Sequence, residues 1–262
     1  MKFCVLGSGS KGNATYLESG ETRILIDAGM SGKELQRRLA VIGVDISAID
    51  AIIVTHEHND HIHGVGVLSR RAGIPVFANP ATFSAASPKV HRLSAYNEFE
   101  TGVAFQFQGL EIHPFAISHD SADPVGFRIS DGSVSLGFCT DTGRVSQLIR
   151  HRLATCQALL LESNHDIELL QNGPYPPYLK QRIRSSQGHL DNVAAAAFLK
   201  ELLHEGLQHV VLAHLSEENN RPEIAYRHAV AALNSNPLDK KKGVRISVAC
   251  QESIGEFIHL SV

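Results

Sequence analysis

The chain has 262 residues, 43% of them hydrophobic and 19% charged, with a formal net charge of −3. That length suits one large domain or two small ones, and the near-neutral balance gives no whole-chain mark of a nucleic-acid binder, although a local basic patch can act alone. No apolar run reaches the roughly 18 residues of a membrane span, so no transmembrane helix is expected. The start, Met1 to Leu6, turns at once into Gly and Ser, without the apolar core of a signal peptide. Cys4, Cys139, Cys156 and Cys250 form no C-x-x-C pair, which disfavours a disulfide framework or zinc ribbon and makes a reduced cytoplasm the default.

The first half reads as mostly strands. Lys2–Leu6 and Thr15–Leu17 flank a Gly/Ser loop, and Arg23–Ile26 follows. Ser31 caps an amphipathic helix carrying Leu35, Leu39 and Ile42, with Gly43 as its stop. Ala51–Val54 is a continuous apolar strand, Val65–Arg71 a short helix, Ile74–Ala78 a strand and Pro80–Ala86 another short helix. Val103, Phe105 and Phe107 alternate as in a half-buried strand, and Glu111–Ser118 runs as a strand into His119. Asp131-Gly132 predicts a hairpin between Val125–Ser130 and Ser133–Cys139.

The second half alternates helix and strand. Arg144–Leu153 reads as helix and Ala158–Leu161 as buried strand; the breaker cluster Asn172 to Pro177 precedes a basic helix, Tyr178–Ser185. A helix from Asp191 to about His204, a strand His209–Ala213, a helix Pro222–Leu233 and a strand Val244–Ala249 complete the chain. Strands first and helix–strand alternation later fit a sheet sandwich with helices outside. No composition shift divides the chain, so 1–262 is taken as a single domain.

Residues 55–64 carry the strongest chemical signal. Thr55-His56-Glu57-His58-Asn59-Asp60-His61-Ile62-His63-Gly64 contains H-x-H-x-D-H directly after an apolar strand. Imidazole suits zinc, copper, iron and nickel, and a carboxylate widens the choice. H-E-x-x-H zinc-protease chemistry is excluded because position 60 is Asp and that motif needs a helix, whereas this segment leaves a strand. His119, Asp141, Glu162 and His214 each follow an apolar run, so they belong at one edge of a sandwich, where several can converge. Two divalent cations about 3.5–4 Å apart can clamp a phosphoryl or carbonyl oxygen, and a carboxylate between them offsets their charge.

In their order along the chain, H-x-H-x-D-H at 56–61, the isolated His119, Asp141 in Thr-Asp-Thr-Gly, and His214 resemble the metallo-β-lactamase-fold superfamily along nearly the whole chain. The resemblance implies a four-layer αββα fold of two similar halves. It implies two divalent ions, zinc or manganese: His56, His58 and His119 on one, Asp60, His61 and His214 on the other, Asp141 bridging, and a hydroxide between them as nucleophile. Leu161 to Asp166, Gly188-His189-Leu190 and Ala213 to Ser216 are similar to the phosphodiesterase side of the superfamily, where a Glu orients a His that protonates the leaving oxygen; Glu162 and His189 occupy those places. A carboxylate fixes an imidazole ring and supports its charged form. This stretch is similar to the YycJ/WalJ-type subgroup, associated with 5′→3′ exonuclease action on DNA. The 73 positions from Asp141 to His214 (214 − 141) leave no room for a large inserted nuclease domain.

Other residues are candidates for holding a substrate. Gly7-Ser8-Gly9-Ser10-Lys11-Gly12 matches G-x-G-x-x-G, but Ala14-Thr15-Tyr16-Leu17 reads as strand, which removes a dinucleotide site. Ser8, Lys11 and Asn13 there can meet a phosphate, or the loop is a plain tight turn. Lys180, Arg182 and Arg184 are the best-placed basic cluster for a nucleic-acid backbone, against the reading of a solvated helix face. Ser216, Asn219 and Asn220 can donate to phosphate oxygens or simply begin the next helix. His63 is expected to be surplus, and Asp27 to hold a ligand histidine by hydrogen bonds.

The expected protein is therefore a cytoplasmic dinuclear phosphodiesterase, a 5′→3′ exonuclease with DNA as substrate ahead of RNA and no membrane partner. Asp60, Glu162 and His189 are its catalytic residues; a homodimer is open, being common at this size. Two alternatives stand beside it. One is a small-molecule hydrolase of the same fold, a cyclic phosphodiesterase or thioesterase; the other is a metal-dependent regulatory module without turnover.

Overall fold

The computed structural model describes residues 1–234 and 243–261. Its strands in chain order are β1 (Lys2–Gly7), β2 (Ala14–Ser19), β3 (Thr22–Ile26), β4 (Ala51–Ile53), β5 (Val76–Ala78), β6 (Tyr96–Glu98), β7 (Phe105–Phe107), β8 (Leu110–Ala116), β9 (Val125–Ser130), β10 (Ser135–Cys139), β11 (Ala158–Glu162), β12 (His209–Ala213), β13 (Arg245–Val248) and β14 (Ile258–His259). The helices are α1 (Gly32–Val41), α2 (Asn59–Ile62), α3 (Val65–Ala72), α4 (Pro80–Val90), α5 (Gln147–Leu153), α6 (Ile167–Asn172), α7 (Pro177–Ile183), α8 (Asn192–Glu201) and α9 (Pro222–Asn234). One sheet runs β14-β1-β2-β3-β4-β5-β6 and the other β13-β12-β11-β10-β9-β8-β7.

Alternating side chains build the layers. Phe3, Val5, Ile24, Ile26 and Ile53 of the first sheet meet Phe127, Ile129, Leu136, Phe138 and Leu160 of the second. The intervening residues Cys4, Leu6, Leu25 and Ile52 pack outward against Leu35 and Leu39 of α1 and Val65 and Leu68 of α3. On the far side, Leu159, Leu161, Val210 and Leu212 pack against Ile149 and Leu153 of α5, Phe198 and Leu199 of α8, and Ala225 and Ala229 of α9. Strands buried on both faces need continuous apolar runs, which is why Ala51–Ile53 and Ala158–Leu161 carry no polar alternation. The result is the expected αββα sandwich.

Several expectations shift by local chemistry. The expected helix end at Ala86 is overrun to Val90 although Pro88 lies inside α4. Pro88 has no N–H for the Ser84 carbonyl, and Ser87 Oγ donates to that carbonyl instead at 3.0 Å. The Asp131-Gly132 hairpin is a four-residue loop: Ser133 and Val134 N–H groups donate to Asp131 Oδ1, Gly132 takes φ 87°, and β10 starts at Ser135. The 55–64 segment leaves β4 extended, but after His58 it makes one helical turn, α2, absent from the sequence reading. β6, β14 and α6 are also additions, each six residues or shorter and too brief for a periodic signal.

Topology positions the site. β3–β6 run parallel in one sheet and β10–β13 in the other. Their C-terminal ends therefore open on one edge of the sandwich, and the candidate residues lie at or shortly after the ends of β4, β8, β10, β11 and β12. Among the described residues, no helix is long and apolar enough to cross a membrane.

Candidate metal centre

Three imidazoles meet at one point. His56 Nε2 and His119 Nε2 each lie 3.2 Å from His58 Nδ1. Their tautomers follow from the neighbouring groups. The Thr55 hydroxyl donates to Asp27 Oδ2 at 2.8 Å, so toward His56 Nδ1, at 3.0 Å, it can only accept. His119 Nδ1 faces the carbonyls of Gln187 and Gly188 at 3.1 and 3.2 Å, which only accept. Both rings thus carry hydrogen on Nδ1 and turn an Nε2 lone pair toward His58. Burial and the neighbouring imidazoles push His56 well below the usual histidine range; burial lowers His119 too, against the pull of Asp141.

This arrangement fits a cation. His58 Nδ1 can donate to only one of the two lone pairs, so at least one nitrogen pair stands lone pair to lone pair. Nitrogens bound to zinc at about 2.0–2.1 Å in a tetrahedron stand about 3.3–3.4 Å apart, close to the 3.2 Å spacings. His56, His58 and His119 can therefore hold one ion.

A second lobe is richer in carboxylates. His61 Nδ1 donates to Asp27 Oδ2 at 2.7 Å, leaving its Nε2 3.4 Å from both Asp60 Oδ2 and Asp141 Oδ2. His214 Nδ1 donates to Glu162 Oε1 at 2.9 Å, leaving its Nε2 3.4 Å from Asp60 Oδ2. Burial alone would lower both imidazoles, but Asp60, Asp141 and Asp27 lift His61 well above its usual range, and Asp141, Asp60 and Glu162 lift His214 to about 10. Burial opposes ionisation of Asp60, yet His61 and His214 outweigh it and hold that carboxyl far down. Asp141 Oδ2 is buried with no hydrogen-bond partner. An orphaned buried carboxylate oxygen is costly without a cation, and Asp60, His61, His214 and Asp141 fit one.

Backbone conformation aims these groups. Asp27, Asp141 and His214 all adopt left-handed φ, at 60°, 58° and 57°. Non-glycine residues seldom do so, Asp and His more readily than most. Each sits just after a strand, where the left-handed turn swings the next residues across the sandwich edge. Underneath, Asn13 N–H donates to the Asp60 carbonyl at 2.7 Å and Ala28 N–H to that of His61 at 2.9 Å. A methyl group at Gly29 would overlap the Asp60 carbonyl, so glycine is required there.

Beside the metal residues stands a third histidine system. His189 Nδ1 donates to Glu162 Oε1 at 2.8 Å, the oxygen that also holds His214. The other oxygen, Oε2, accepts the Thr142 and Leu190 N–H groups at 3.0 Å each. Four donors thus fix Glu162; burial by itself would raise its pKa, but His189 and His214 outweigh it and keep the carboxylate ionised well below its usual range. His189 lines an open cleft of about 230 Å³ together with His58, Asp60, His119, Asp141 and His214.

The substrate candidates divide. Arg182 lines the cleft and makes a two-pronged pair with Asp120, at 2.6 and 3.0 Å. Ser216 lines it as well, while accepting from Asn219 N–H. Lys11 is exposed, paired with Glu217 at 2.8 Å, and does not line the cleft. Arg184 is exposed and does not line the cleft. Five others have side chains taken up by the scaffold, through burial or bonding. Ser8 is buried, donating to Asn13 Oδ1 and accepting from His214 N–H; buried Asn13 Nδ2 donates to Asp60 Oδ2 at 3.1 Å. Lys180 Nζ donates to the Gln171 and Gly173 carbonyls, and Asn219 is fully buried. Asn220, also buried, donates to the Ser163 and Asn164 carbonyls. His63 is exposed. Cys4, Cys139 and Cys156 are buried, Cys250 half-buried, and all four are unpaired.

Sequence reasoning missed Thr55, whose hydroxyl links Asp27 to His56, and Asp120, which clasps Arg182; Ser10, Tyr175, Leu179 and Leu215 of the cleft wall were missed too. Thr55 had a signal in its place between strand and motif. The wall residues had none, because they come from separate loops.

The β-lactamase superfamily domain profile matches residues 22–215. The chain belongs to the metallo-β-lactamase superfamily. It is 39% identical over 236 residues to the exodeoxyribonuclease WalJ of Streptococcus pneumoniae, covering 88% of each chain. It is 37% identical over 227 residues to the exodeoxyribonuclease YycJ of Bacillus anthracis, covering 86% of each. Among solved structures, the metallo-β-lactamase-fold protein YhfI of Bacillus subtilis superposes with a TM-score of 0.75 at 18% identity, over 97% of this chain and 99% of that one. The short form of human tRNase Z gives 0.68 at 16% identity over the full length of both. These two likenesses concern the fold. The profile match, the two exodeoxyribonuclease relatives and the His/Asp cluster make the chain a metal-dependent hydrolase of this superfamily.

Proposed function

We propose that the protein is a dinuclear phosphodiesterase acting on DNA from a 5′ end. The observation that carries the chemistry is the Glu162–His189 pair beside two lobes of His and Asp side chains. His56, His58 and His119 would hold one ion and Asp60, His61 and His214 the other, with Asp141 beside both sets; zinc or manganese would suit these donors. Divalent ions bound there would activate a water and offset charge on the phosphoryl oxygens.

The protein's own groups do the remaining work. With Nδ1 committed to Glu162, His189 has Nε2 left to hand a proton to the departing oxygen. Glu162 keeps that ring oriented and balances its positive charge, while the same oxygen holds His214. Arg182 sits on the cleft wall to meet a backbone phosphate. The cleft, about 230 Å³ and open to solvent, gives a strand room to present its scissile phosphate. The choice of DNA and of exonuclease action is supported by the two curated relatives above. Four unpaired thiols suit a reducing cytoplasm.

The test is product release from 5′-phosphorylated single- and double-stranded oligonucleotides, with Asp60→Ala as control. Mononucleotides from wild type alone are expected. Failure of the fully metallated protein to cut any of them overturns the reading.

A further inference from the structure

On one side the cleft wall is apolar and aromatic. Tyr175, Leu179 and Ile183 line it at four-residue intervals, with Arg182 beside them, while Ser10 and Ser216 also contribute polar groups to the lining. Leu179 and Ile183 share one face of α7. Tyr175 precedes that helix, between Pro174 and Pro176-Pro177. Its ring is half-buried, and its phenol makes no hydrogen bond to any described residue. The hydroxyl of such a half-buried tyrosine can be satisfied by water, while the ring lies on the cleft wall.

The segment bearing Tyr175 is rigid. Three prolines fix their own φ near −65°, and Pro177 occupies the first turn of α7. Lys180 Nζ donates to the Gln171 and Gly173 carbonyls at 2.8 and 2.7 Å, clamping the turn from behind. A pre-set aromatic ring loses little freedom on binding a flat partner. A sugar–phosphate backbone gains nothing from an apolar wall, whereas a nucleobase presents an apolar face of any sequence.

We infer that Tyr175, backed by Leu179 and Ile183, is a platform for a nucleobase next to the scissile phosphate. The inference rests on the nuclease reading above and adds to it how the base is held. Because every base has such a face, the platform positions the strand without selecting sequence. Tyr175 is a positioning residue that acts on binding, not on the chemical step.

The experiment compares two 5′-phosphorylated oligonucleotides, one normal and one abasic at its first two nucleotides, with wild type, Tyr175→Ala, Tyr175→Leu and Tyr175→Phe. Base–aromatic stacking supports about a tenfold preference of wild type for the base-bearing end, expressed in KM. Tyr175→Phe keeps that preference. Tyr175→Ala and the better-packed Tyr175→Leu, which keeps apolar bulk but no ring, both lose it. Equal losses on both substrates, or a wild type indifferent to the missing bases, overturn the platform and leave the nuclease reading standing. Wild type that cuts neither oligonucleotide overturns both.

Discussion

Asp27→Asn tests whether the tautomer of a ligand histidine is set from behind. Asp27 is fully buried and accepts three hydrogen bonds: Thr55 N–H on Oδ1 at 2.8 Å, and on Oδ2 the Thr55 hydroxyl at 2.8 Å and His61 Nδ1 at 2.7 Å. Asparagine has nearly the same shape and tolerates the left-handed φ of 60°, so the fold should survive. Its amide has one acceptor and one donor group. If the oxygen stays on Thr55 N–H, the NH₂ faces His61 Nδ1, which must then present a lone pair; the ring proton moves to Nε2, the atom needed for a metal. If the amide flips, Thr55 N–H is left unpaired in the interior at about 1–3 kcal/mol. Loss of such a supporting bond costs about 10–100-fold in metal affinity, or about 1.4–2.7 kcal/mol. Titrating the apo-protein with zinc against a chromophoric chelator, with thermal unfolding alongside, reads both branches. Affinity within twofold of wild type at an unchanged melting temperature would refute the argument.

Other perturbations separate the parts of the site. His189→Ala should lower DNA cleavage about 10²–10⁴-fold at unchanged metal content. The same variant should lose far less on a bis(nitrophenyl) phosphate, whose leaving group needs no proton; parallel losses would remove His189 from the role of acid. Gly29→Ala forces a methyl group into the Asp60 carbonyl, and overpacking of that kind costs about 1–3 kcal/mol; calorimetry and metal analysis should show lower stability and weaker retention of one ion. Arg182→Ala should leave stability nearly unchanged, because an exposed pair such as Arg182–Asp120 contributes about 0–1 kcal/mol. It should raise KM for oligonucleotides and flatten the salt dependence of binding by about one phosphate contact. An unaltered salt slope would place Arg182 off the strand's path.

The legible part of this chain is the part in which consecutive residues report the same environment. Ala51–Ile53 and Ala158–Leu161 are apolar because both their faces are covered, and the H-x-H-x-D-H run at 56–61 is dense because one strand end and one helical turn supply four donors. What stayed hidden depends on groups distant in sequence. The fate of Ser8 turned on His214 N–H, 206 positions away, and that of Lys180 on two carbonyls at the preceding turn. A polar residue in a loop reads alike whether it faces a ligand or satisfies the backbone, so Ser8, Asn13, Lys180 and Asn219 could not be told from Arg182 and Ser216 by composition.

The supporting residues also explain why the two lobes form together. Asp27 follows β3 of one sheet, and its carboxylate serves His61 directly and His56 through Thr55, so one buried acid sets a donor atom in each lobe. Glu162 ends β11 of the other sheet and does the same for His214 and His189, joining the second lobe to the proton donor. Each acid is fully buried and carries several donors, a state that is costly when any of them is missing. Misplacing either sheet edge would therefore strand a buried charge, not merely loosen a ligand. The same burial that makes Asp27 and Glu162 expensive on their own ties assembly of the centre to docking of the sheets.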